Sequence, residues 1–444
     1  MIPRLFGTDG VRGKAGVSPL DVTTVRRLGA ALVRVLGTPT PRMIVGRDTR
    51  ESGPWIEREL AFGARAYGAR VTSAGVVPTP AVAFLTRTLS FDAGLMISAS
   101  HNPFEDNGIK VFSGAGVKHG DQAEREIERL VADASLQVPD GEAPAVETAE
   151  YVDAYLDHAR QALPEPGRLH GLALAVDCAN GAMTAHAPRL LRNLGFDVTV
   201  LAADPDGRNI NLACGSTHPE ALAAEVLAGN RQIGVAFDGD GDRAIFIDGR
   251  GRIVDGDAVL LMCARQMQAE GRLRGGAVVV TVMSNLGLEV GLRESGIDLV
   301  RCPVGDKYVM EELVVRDLAL GGEQSGHIIF ADQLYTGDGL ITALNVLRTM
   351  AATGRDLADL ADDLQRFPQV LVNVRVRRRV DLQEIPAVSA GLARVEAALG
   401  REGRLLVRYS GTEPLLRIML EGRDAAAIQA WADEIAAEVR AHLS

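Results

Sequence analysis

One arrangement of apolar and polar segments recurs three times along the chain. The first copy has an apolar strand candidate at 43–45, a polar loop, a helix candidate at 55–67 and a second strand at 69–71. The second copy starts at 172–176 and the third at 278–282. A strand, an amphipathic helix and a second strand form a β-α-β unit, whose ligands bind at the polar loops after the strands. The pattern therefore predicts three α/β domains related by duplication.

The C-terminal part of the chain has a different pattern. An alternating strand is predicted at 370–376, followed by a helix, two strands at 405–409 and 415–421, and a final amphipathic helix. This order is typical of a small α+β domain. A chain of 444 residues is also too long for a single core. We predict an α/β fold of four domains, three similar mixed α/β domains plus a smaller C-terminal α+β domain, with the boundaries 1–155, 156–253, 254–367 and 368–444.

Composition and charge narrow the range of partners. The residues are 47% hydrophobic and 24% charged, as in soluble globular proteins, and a net charge of −11 argues against nucleic acid. The four cysteines form no CxxC pair, which argues against a zinc site and a disulfide framework. Neither a signal-peptide core nor an apolar run long enough to span a membrane occurs. The sequence predicts a cytoplasmic protein with no nucleic acid and no membrane as partner.

A serine-rich loop follows the apolar run 94–97. Its residues, Ser98-Ala99-Ser100-His101-Asn102-Pro103, place hydroxyl groups at the end of a predicted strand. A serine in this position acts as a nucleophile or a phosphate carrier if a neighbouring group activates or neutralises it. The simpler interpretation is a polar turn or helix cap, with His101 in a structural role. A Ser-His-Asp hydrolase also stays open, although no G-x-S-x-G elbow surrounds Ser98 or Ser100.

Three aspartates follow the predicted strand 233–237. Asp238, Asp240 and Asp242 alternate with glycines, so their carboxylates turn to one side and the backbone can curl around an ion. Carboxylate oxygens favour Mg²⁺ or Ca²⁺ over softer metals. The residues after Asp238 do not follow the calcium EF-hand pattern of glycine and glutamate. We therefore predict a metal site, with an acidic solvated turn as the alternative.

Phosphate on a serine beside these aspartates requires positive charge. Phosphoserine adds about −1.5 to −2 charges, which gives about −5 in total with three carboxylates. A divalent ion and nearby basic groups would offset this charge. The candidates are Arg243, Lys110, His101 and Arg47, all predicted on loops after strands.

Further polar stretches offer groups for a sugar phosphate. Near the start of the chain, Phe6–Gly13 contains glycines and Arg12, which suits close approach to a phosphate. Glu323, Ser325 and His327 alternate along a predicted extended loop and suit sugar hydroxyls or an amine, with a polar hairpin turn as the alternative.

A last polar stretch, Arg408–Pro414, lies between two predicted strands and is followed by Arg417. It combines hydroxyls, backbone N–H groups and arginines in what we interpret as a phosphate cradle. There is no Walker A sequence and no G-x-G-x-x-G after a strand, which disfavours nucleotide binding.

These stretches, in this order, resemble the α-D-phosphohexomutase superfamily, and most closely its bacterial phosphoglucosamine mutases. The resemblance extends from Phe6 to about Gly422. The motifs that carry it are Ile97–Pro103, Asp238–Arg243, Gly322–His327 and Arg408–Pro414. The similarity to the phosphoglucosamine mutase branch of this superfamily is indicated by Glu323–His327, Phe6–Gly13, Asp206–Asn211 and Cys214–Glu220.

The resemblance implies roles for individual residues. Ser100 would be the phosphoserine, supported by Ser98, and Lys110 the general acid/base. One Mg²⁺ per chain would be bound by a phosphate oxygen on Ser100 and by the carboxylates of Asp238, Asp240 and Asp242. The groups that stabilise the transferring charge would be Arg12, His101 and Arg243.

It also implies residues that bind the sugar and its second phosphate. Glu323 and Ser325 would bind the sugar O3 and O4 hydroxyls, with His327 and Lys307 nearby. The non-reacting phosphate would be held by Arg408, Ser410, Gly411, Thr412 and Arg417. In the family fold, four domains surround a central cleft.

The implied activity is the interconversion of glucosamine 6-phosphate and glucosamine 1-phosphate. It would pass through phosphorylated Ser100 and glucosamine 1,6-bisphosphate, and would serve UDP-N-acetylglucosamine and cell-wall precursor synthesis. The expected partner is a small-molecule sugar phosphate, and a homodimer stays open. The alternatives are a phosphomannomutase or phosphoglucomutase, a metal-dependent sugar phosphatase, and a sugar-phosphate sensor without turnover.

Overall fold

A computed structural model describes residues 5–7, 9–400, 402–410 and 414–443. The chain divides into two compact units. The first contains the residues up to Met283 together with Ile297–Asp363, and the second contains Ser284–Gly296 together with Leu364–Ser444. Each unit is described separately below.

The N-terminal part of the first unit contains a five-stranded sheet. In chain order its elements are β1 (Val11–Lys14), α1 (Val22–Leu36), β2 (Arg42–Arg47), α2 (Gly53–Arg65), β3 (Arg70–Val76), α3 (Thr79–Thr88), β4 (Ala93–Ile97), β5 (Asp106–Ser113) and α4 (Asp121–Ala132). The strand order is β1-β5-β4-β2-β3. Strand β2 runs parallel to β3 and β4, whereas β5 is antiparallel to both β4 and β1.

Local sequence signals explain the helix ends here. The side chain of Asp21 accepts a hydrogen bond from Thr24 N at 3.0 Å and so caps the first turn of α1. Gly37 ends the same helix in the left-handed conformation, with φ of 65°. The capped helix packs against α2 on the sheet.

The second sheet follows a connecting helix. The elements are α5 (Val152–Arg160), β6 (Ala173–Asp177), α6 (Ala187–Asn193), β7 (Asp197–Leu201), α7 (Glu220–Ala228), β8 (Ile233–Phe237), β9 (Ala244–Asp248) and β10 (Ile253–Val254). The strand order is β10-β9-β8-β6-β7. Strand β6 is parallel to β7 and β8, and β9 is antiparallel to β8.

The third sheet has four strands. The elements of this segment are α8 (Gly256–Ala269), β11 (Ala277–Thr281), α9 (Leu286–Glu294), β12 (Asp298–Cys302), α10 (Asp306–Arg316), β13 (Leu320–Gly322), β14 (Ile328–Phe330), α11 (Gly339–Thr353) and α12 (Leu357–Ala361). The strand order is β12-β11-β13-β14, with β14 antiparallel to β13. Helix α9 belongs to the second compact unit.

The three sheets share one topology. Apart from the edge strands β1 and β10, each sheet has four strands in one arrangement. The first (β2, β6 or β11) lies between the second (β3, β7 or β12) and the third (β4, β8 or β13), and a fourth (β5, β9 or β14) runs antiparallel beside the third. Strands β4 and β8, third in their sheets, are buried along their whole length, as expected for strands that are covered on both faces. The predicted set of three similar α/β domains is therefore confirmed.

The rest of the second unit is the predicted smaller α+β domain. Its elements are β15 (Gln369–Arg375), α13 (Pro386–Leu399), β16 (Gly403–Tyr409), β17 (Leu415–Gly422) and α14 (Ala425–Leu443). The three strands are antiparallel in the order β15-β17-β16. Buried apolar residues such as Ile418 and Ile435 join the sheet and the helices in one core.

Among the described residues, no helix is both long and apolar enough to cross a bilayer.

Candidate active site

Three polar loops occupy equivalent positions in the three sheets. Each connects the third strand to the antiparallel fourth strand: β4 to β5, β8 to β9, and β13 to β14. The first loop carries Ser100, the second carries the three aspartates, and the third carries Glu323, Ser325 and His327. The topology thus gives each predicted group of site residues the same place in its own sheet.

Ser100 lies directly against the aspartate loop. Its Oγ donates a hydrogen bond to Asp238 Oδ2 at 2.5 Å. His101 Nδ1 lies 3.3 Å from Ser100 Oγ. The side chain is buried, and the backbone has a positive φ of 54°. The two loops that the sequence analysis selected therefore meet at this hydroxyl.

The three aspartates form a buried cluster that suits a cation. Asp238, Asp240 and Asp242 each offer a carboxylate oxygen, and these oxygens lie within 4.8 Å of one another. Burial and repulsion from Asp242 and Asp240 raise the pKa of Asp238 well above its usual value. Asp240 Oδ1 and Asp242 Oδ1 are buried with no hydrogen-bond partner among the described residues. Such oxygens fit the expected magnesium site.

The ammonium group of Lys110 supplies a positive charge to this cluster. Lys110 Nζ lies 2.8 Å from Asp240 Oδ2, 2.8 Å from Asp242 Oδ2 and 3.1 Å from Asp9 Oδ2. Burial opposes the charge, but attraction to these carboxylates outweighs it and raises the pKa of Lys110 well above its usual value. The lysine is therefore protonated, and the carboxylates already accommodate a cation.

Lys110 and Arg12 lie in strands, so the predicted loop position of Lys110 is wrong. Lys110 lies in β5 opposite Met96, and Arg12 lies in β1 opposite Gly108. The sequence Asp106-Asn107-Gly108 is typical of a turn, but β1 pairs with these three residues and keeps them extended.

The other residues predicted to neutralise negative charge, Arg12, Arg243 and His101, make different contacts and do not all carry a charge. Arg12 Nη1 donates to Ala99 O at 3.2 Å, and Arg243 N donates to Asp238 Oδ1 at 3.1 Å. Burial, together with the positive charges of Arg243 and Arg12, lowers the pKa of His101 to about 4. His101 is thus neutral at pH 7 beside the serine hydroxyl and provides a ring nitrogen rather than a charge.

The predicted loop position of Arg47 is also wrong, because Arg47 is the last residue of β2, and its Nε lies 3.3 Å from Glu57 Oε2. This ion pair, and not the reacting cluster, accounts for the charge of Arg47.

The third loop is a turn between β13 and β14 rather than an extended segment. Gly326 N donates to Glu323 O at 3.0 Å, and Gly326 has a φ of 87°. Ser325 Oγ lies 3.5 Å from Glu323 Oε2, so two predicted sugar-binding groups are neighbours. The backbone therefore forms a hairpin turn, because the antiparallel pairing of two short strands imposes it. The sugar-binding roles of these residues stay predictions.

His327 extends from this turn toward the aspartates. Its Nε2 lies 3.5 Å from Asp306 Oδ2 and 3.9 Å from Asp242 Oδ2. The ring is buried, and neither nitrogen has a hydrogen-bond partner among the described residues. His327 therefore brings the third sheet into the same cluster.

The ammonium group of Lys307 pairs with carboxylates of α4 rather than with the group around Ser100. Its Nζ donates to Asp121 Oδ1 at 2.6 Å and to Glu124 Oε2 at 2.9 Å, both on α4.

The phosphate cradle predicted in the second unit has the following local geometry. Arg408 of β16 and Arg417 of β17 are directly opposite in the register, so they lie on one face of the sheet. Ser410 N donates to Leu415 O at 2.8 Å at the end of this hairpin. Gly411 and Thr412 lie outside the described residues. Two guanidinium groups on one face suit a phosphate.

Sequence analysis missed several residues that organise the cluster. Lys118 Nζ contacts carboxylate oxygens of both Asp9 and Asp306, and so links the segment before β1 to the start of α10. Thr79 Oγ1 donates to Asp240 Oδ2 at 2.5 Å. Only Asp9 had a local signal, since it lies inside the glycine-rich stretch Phe6–Gly13. The other partners are more than 100 residues apart in sequence, and no spacing pattern indicates them.

Comparison with known proteins agrees with this architecture along the whole chain. Four family models match, all described as phosphoglucomutase/phosphomannomutase: domain I at 3–137, domain II at 149–251, domain III at 255–367 and the C-terminal domain at 371–438. The chain belongs to the phosphoglucomutase/phosphomannomutase family. The finer domain boundaries stay predictions.

Members of the family that carry the name phosphoglucosamine mutase are similar over nearly their full length. One from Solibacter usitatus is 49% identical over 444 residues, which cover 99% of this chain and 99% of that protein. One from Pseudomonas putida KT2440 is 47% identical, with 98% of each chain covered.

Solved structures of the phosphoglucomutase/phosphomannomutase family share the fold. A family protein from Burkholderia thailandensis has a TM-score of 0.82 at 27% identity, over 99% of this chain and 98% of that one. An N-acetylphosphoglucosamine mutase from Aspergillus fumigatus, in complex with GlcNAc-6P and magnesium, has a TM-score of 0.69 at 18% identity, over 99% and 96%.

Proposed function

We propose that this protein is a phosphoglucosamine mutase, which interconverts glucosamine 6-phosphate and glucosamine 1-phosphate. The observation that carries the proposal is the 2.5 Å contact between Ser100 Oγ and Asp238, within a buried cluster of three carboxylates. The relatives that match nearly the full chain at 44–49% identity and share this name support the choice of substrate. The partner is then a small sugar phosphate, and the expected location is cytoplasmic.

The proposed reaction uses Ser100 as a carrier of the phosphoryl group. Phosphorylated Ser100 gives this group to the O1 oxygen of glucosamine 6-phosphate and so forms the 1,6-bisphosphate. The intermediate turns end for end, and Ser100 accepts the 6-phosphoryl group and releases glucosamine 1-phosphate. In each transfer the accepting hydroxyl loses one proton and the leaving oxygen gains one. We assign this proton to Lys110, which the carboxylates hold protonated beside the cluster.

A divalent cation completes the proposed site. Asp238, Asp240, Asp242 and a phosphate oxygen on Ser100 would bind Mg²⁺. When bound, the ion would neutralise negative charge on the transferring group. Arg12 and Arg243 add charge from the chain itself, and His101 adds a ring nitrogen next to the reacting oxygen.

Substrate binding is assigned to the third loop and to the C-terminal domain. Glu323 and Ser325 would bind sugar hydroxyls, and His327 and Lys307 would complete this region. The non-reacting phosphate would be bound by Arg408, Ser410, Gly411, Thr412 and Arg417.

Intact mass and product analysis test the proposal together. Purified protein is incubated with Mg²⁺, glucosamine 1,6-bisphosphate and glucosamine 6-phosphate, and products are followed by ³¹P NMR. We expect glucosamine 1-phosphate, and a phosphate-sized mass increment that disappears in Ser100→Ala but not in the control Ser135→Ala, whose serine is exposed.

Three results would contradict the proposal. Faster turnover of glucose or mannose phosphates would indicate the related mutases. Stoichiometric release of inorganic phosphate would indicate a phosphatase. Binding without turnover by fully phosphorylated protein would indicate a sensor.

A further inference from the structure

The loop that carries Ser100 is held by an arginine that lies outside the reacting cluster. Arg50 follows β2 and is 1% exposed. Its Nη2 donates to Ser100 O at 2.9 Å and to Asn102 O at 2.9 Å. Its Nη1 donates to Asp106 O at 3.0 Å and to the carbonyl of Pro103. All four Nη hydrogens therefore bind main-chain carbonyls of one loop.

Asp48 extends this arrangement to the other side of the serine. Asp48 Oδ2 accepts hydrogen bonds from Arg50 Nε at 2.8 Å and from Ser98 Oγ at 2.6 Å. Ser98 Oγ in turn accepts a hydrogen bond from Ser100 N at 2.9 Å. The N–H and the C=O of Ser100 are thus both fixed through one buried ion pair. A buried guanidinium requires such a partner, because an unpaired charge there would be strongly unfavourable.

A residue of the second sheet region binds the same carbonyls. Asn211 Nδ2 donates to Ser100 O at 2.8 Å and to Asn102 O at 3.1 Å. The Ser100 carbonyl therefore accepts hydrogen bonds from two side chains. This matters because Ser100 has a φ of 54°, a conformation that a residue with a side chain keeps only where its surroundings fix it.

We propose that Arg50 and Asn211 form a carbonyl clamp that positions Ser100 for phosphoryl transfer. The inference rests on the proposed mutase function. A mutase cycle requires Ser100 Oγ to serve as donor and then as acceptor from one position, and phosphoryl transfer depends on in-line alignment. Neither clamp residue touches the reacting oxygen, so both are positioning residues. A lysine at 50 would keep the charge but lose the planar fork that reaches several carbonyls at once.

The first test compares Arg50→Lys with Arg26→Lys. Arg26 is a matched control: it is also buried, pairs with Glu59, and donates to the carbonyls of Pro139 and Gly141 in a different loop. For Arg50→Lys we expect kcat to fall about 100-fold, with KM changed less than about threefold. For Arg26→Lys we expect kcat within about twofold of the parent, even if its thermal midpoint falls as much as that of Arg50→Lys.

Hydrogen–deuterium exchange of peptides that cover residues 98–106 provides a readout that does not depend on turnover. We expect faster exchange there in Arg50→Lys and unchanged exchange in Arg26→Lys, because Arg50 binds this loop and Arg26 binds a different one. If the parent protein lacks mutase activity, the proposed function fails, while the exchange result still decides whether the clamp orders the loop.

Asn211→Gly provides a second variant in case Arg50→Lys does not fold. Glycine tolerates the φ of 59° at this position and removes only the side-chain donor. We expect kcat to fall about tenfold, with little change in KM. The proposal is overturned if folded variants of both clamp residues keep kcat within about twofold of the parent. It is also overturned if Arg26→Lys loses as much activity as Arg50→Lys, or if exchange at 98–106 does not change.

Discussion

At the scale of single residues, the site depends on Gly239, whose lack of a side chain lets two loops approach each other. A Cβ atom at Gly239 would lie 2.5 Å from Ser100 O, 2.8 Å from Ile210 Cδ1 and 2.9 Å from Asn211 Nδ2. Two of these atoms belong to the Ser100 loop and its clamp. The glycine between the first two aspartates thus allows the two reacting loops to touch, in addition to allowing the backbone to curl.

We expect Gly239→Ala to separate these loops. The added methyl should lower the free energy of unfolding by about 1 to 3 kcal/mol and reduce kcat, because the Ser100 carbonyl must move. Urea unfolding and steady-state kinetics measure the two effects. Gly167→Ala is the control, since a Cβ atom there meets nothing within 4 Å. A Gly239→Ala protein with the stability and kcat of the parent would show that the contact is not needed.

The residues that sequence analysis identified are those whose signal is local. The aspartates at 238, 240 and 242 can be recognised from their spacing alone, and Ser100 from its position after an apolar strand. Lys118 and Thr79 act through partners that only the folded chain brings close, so no local spacing marks them. Burial and two arginines that are distant in the sequence, Arg243 and Arg12, lower the pKa of His101, and no local spacing indicates this effect either.

At the scale of elements, the start of α3 supports the aspartate loop from the neighbouring sheet. Thr79 N donates to Asp240 O at 2.9 Å, and its hydroxyl donates to Asp240 Oδ2 at 2.5 Å. The first bond holds the main chain of Asp240, and the second holds its carboxylate. Helix α3 therefore acts as an outer support for the proposed metal ligand.

Thr79→Val should weaken Mg²⁺ binding about tenfold, because Asp240 loses the hydrogen bond that orients it. Isothermal titration calorimetry of the folded protein measures this affinity. Thr86→Val is the matched control: Thr86 is buried on the same helix, but its hydroxyl donates to Val82 O. Equal Mg²⁺ affinities for the two variants would contradict the supporting role of Thr79.

Strand β5 shows why some elements escape sequence analysis. The strands with continuous apolar runs, such as β4 and β8, were predicted within a residue of their observed bounds. By contrast, β5 begins with Asp106-Asn107-Gly108, which a local reading assigns to a turn. These three residues are extended because they pair with β1, and β4 pairs with the rest of the strand. Both pairings are tertiary effects.

At the scale of the whole molecule, a buried acid links the connecting helix α5 to the third sheet region. Tyr155 of α5 donates to both carboxylate oxygens of Asp338, each at 3.0 Å, and Asp338 Oδ1 accepts from Ile341 N at the start of α11. Burial raises the pKa of Asp338 to about 7. This joint within the first unit is therefore sensitive to pH in the physiological range.

We expect the stability of the parent protein to fall between about pH 4 and pH 7 relative to Asp338→Asn. Over this range Asp338 is ionised in the unfolded chain but protonated in the fold until pH reaches about 7. Its contribution is therefore complete at low pH and is lost as pH rises through that value. The loss is at most about 4 kcal/mol. Urea unfolding at several pH values measures it, and parallel pH curves for parent and variant would contradict the prediction.

The shared topology of the three sheets has a consequence for how such an enzyme can change. One loop position, present in all three sheets, carries the proposed phosphate carrier, the proposed metal-binding turn and the proposed sugar-binding turn. Substitutions in the third turn would change which hexose phosphate binds, without changing the residues proposed for phosphoryl transfer. A change in sugar selectivity would therefore require substitutions in one hairpin, while the loops proposed for phosphoryl transfer stay the same.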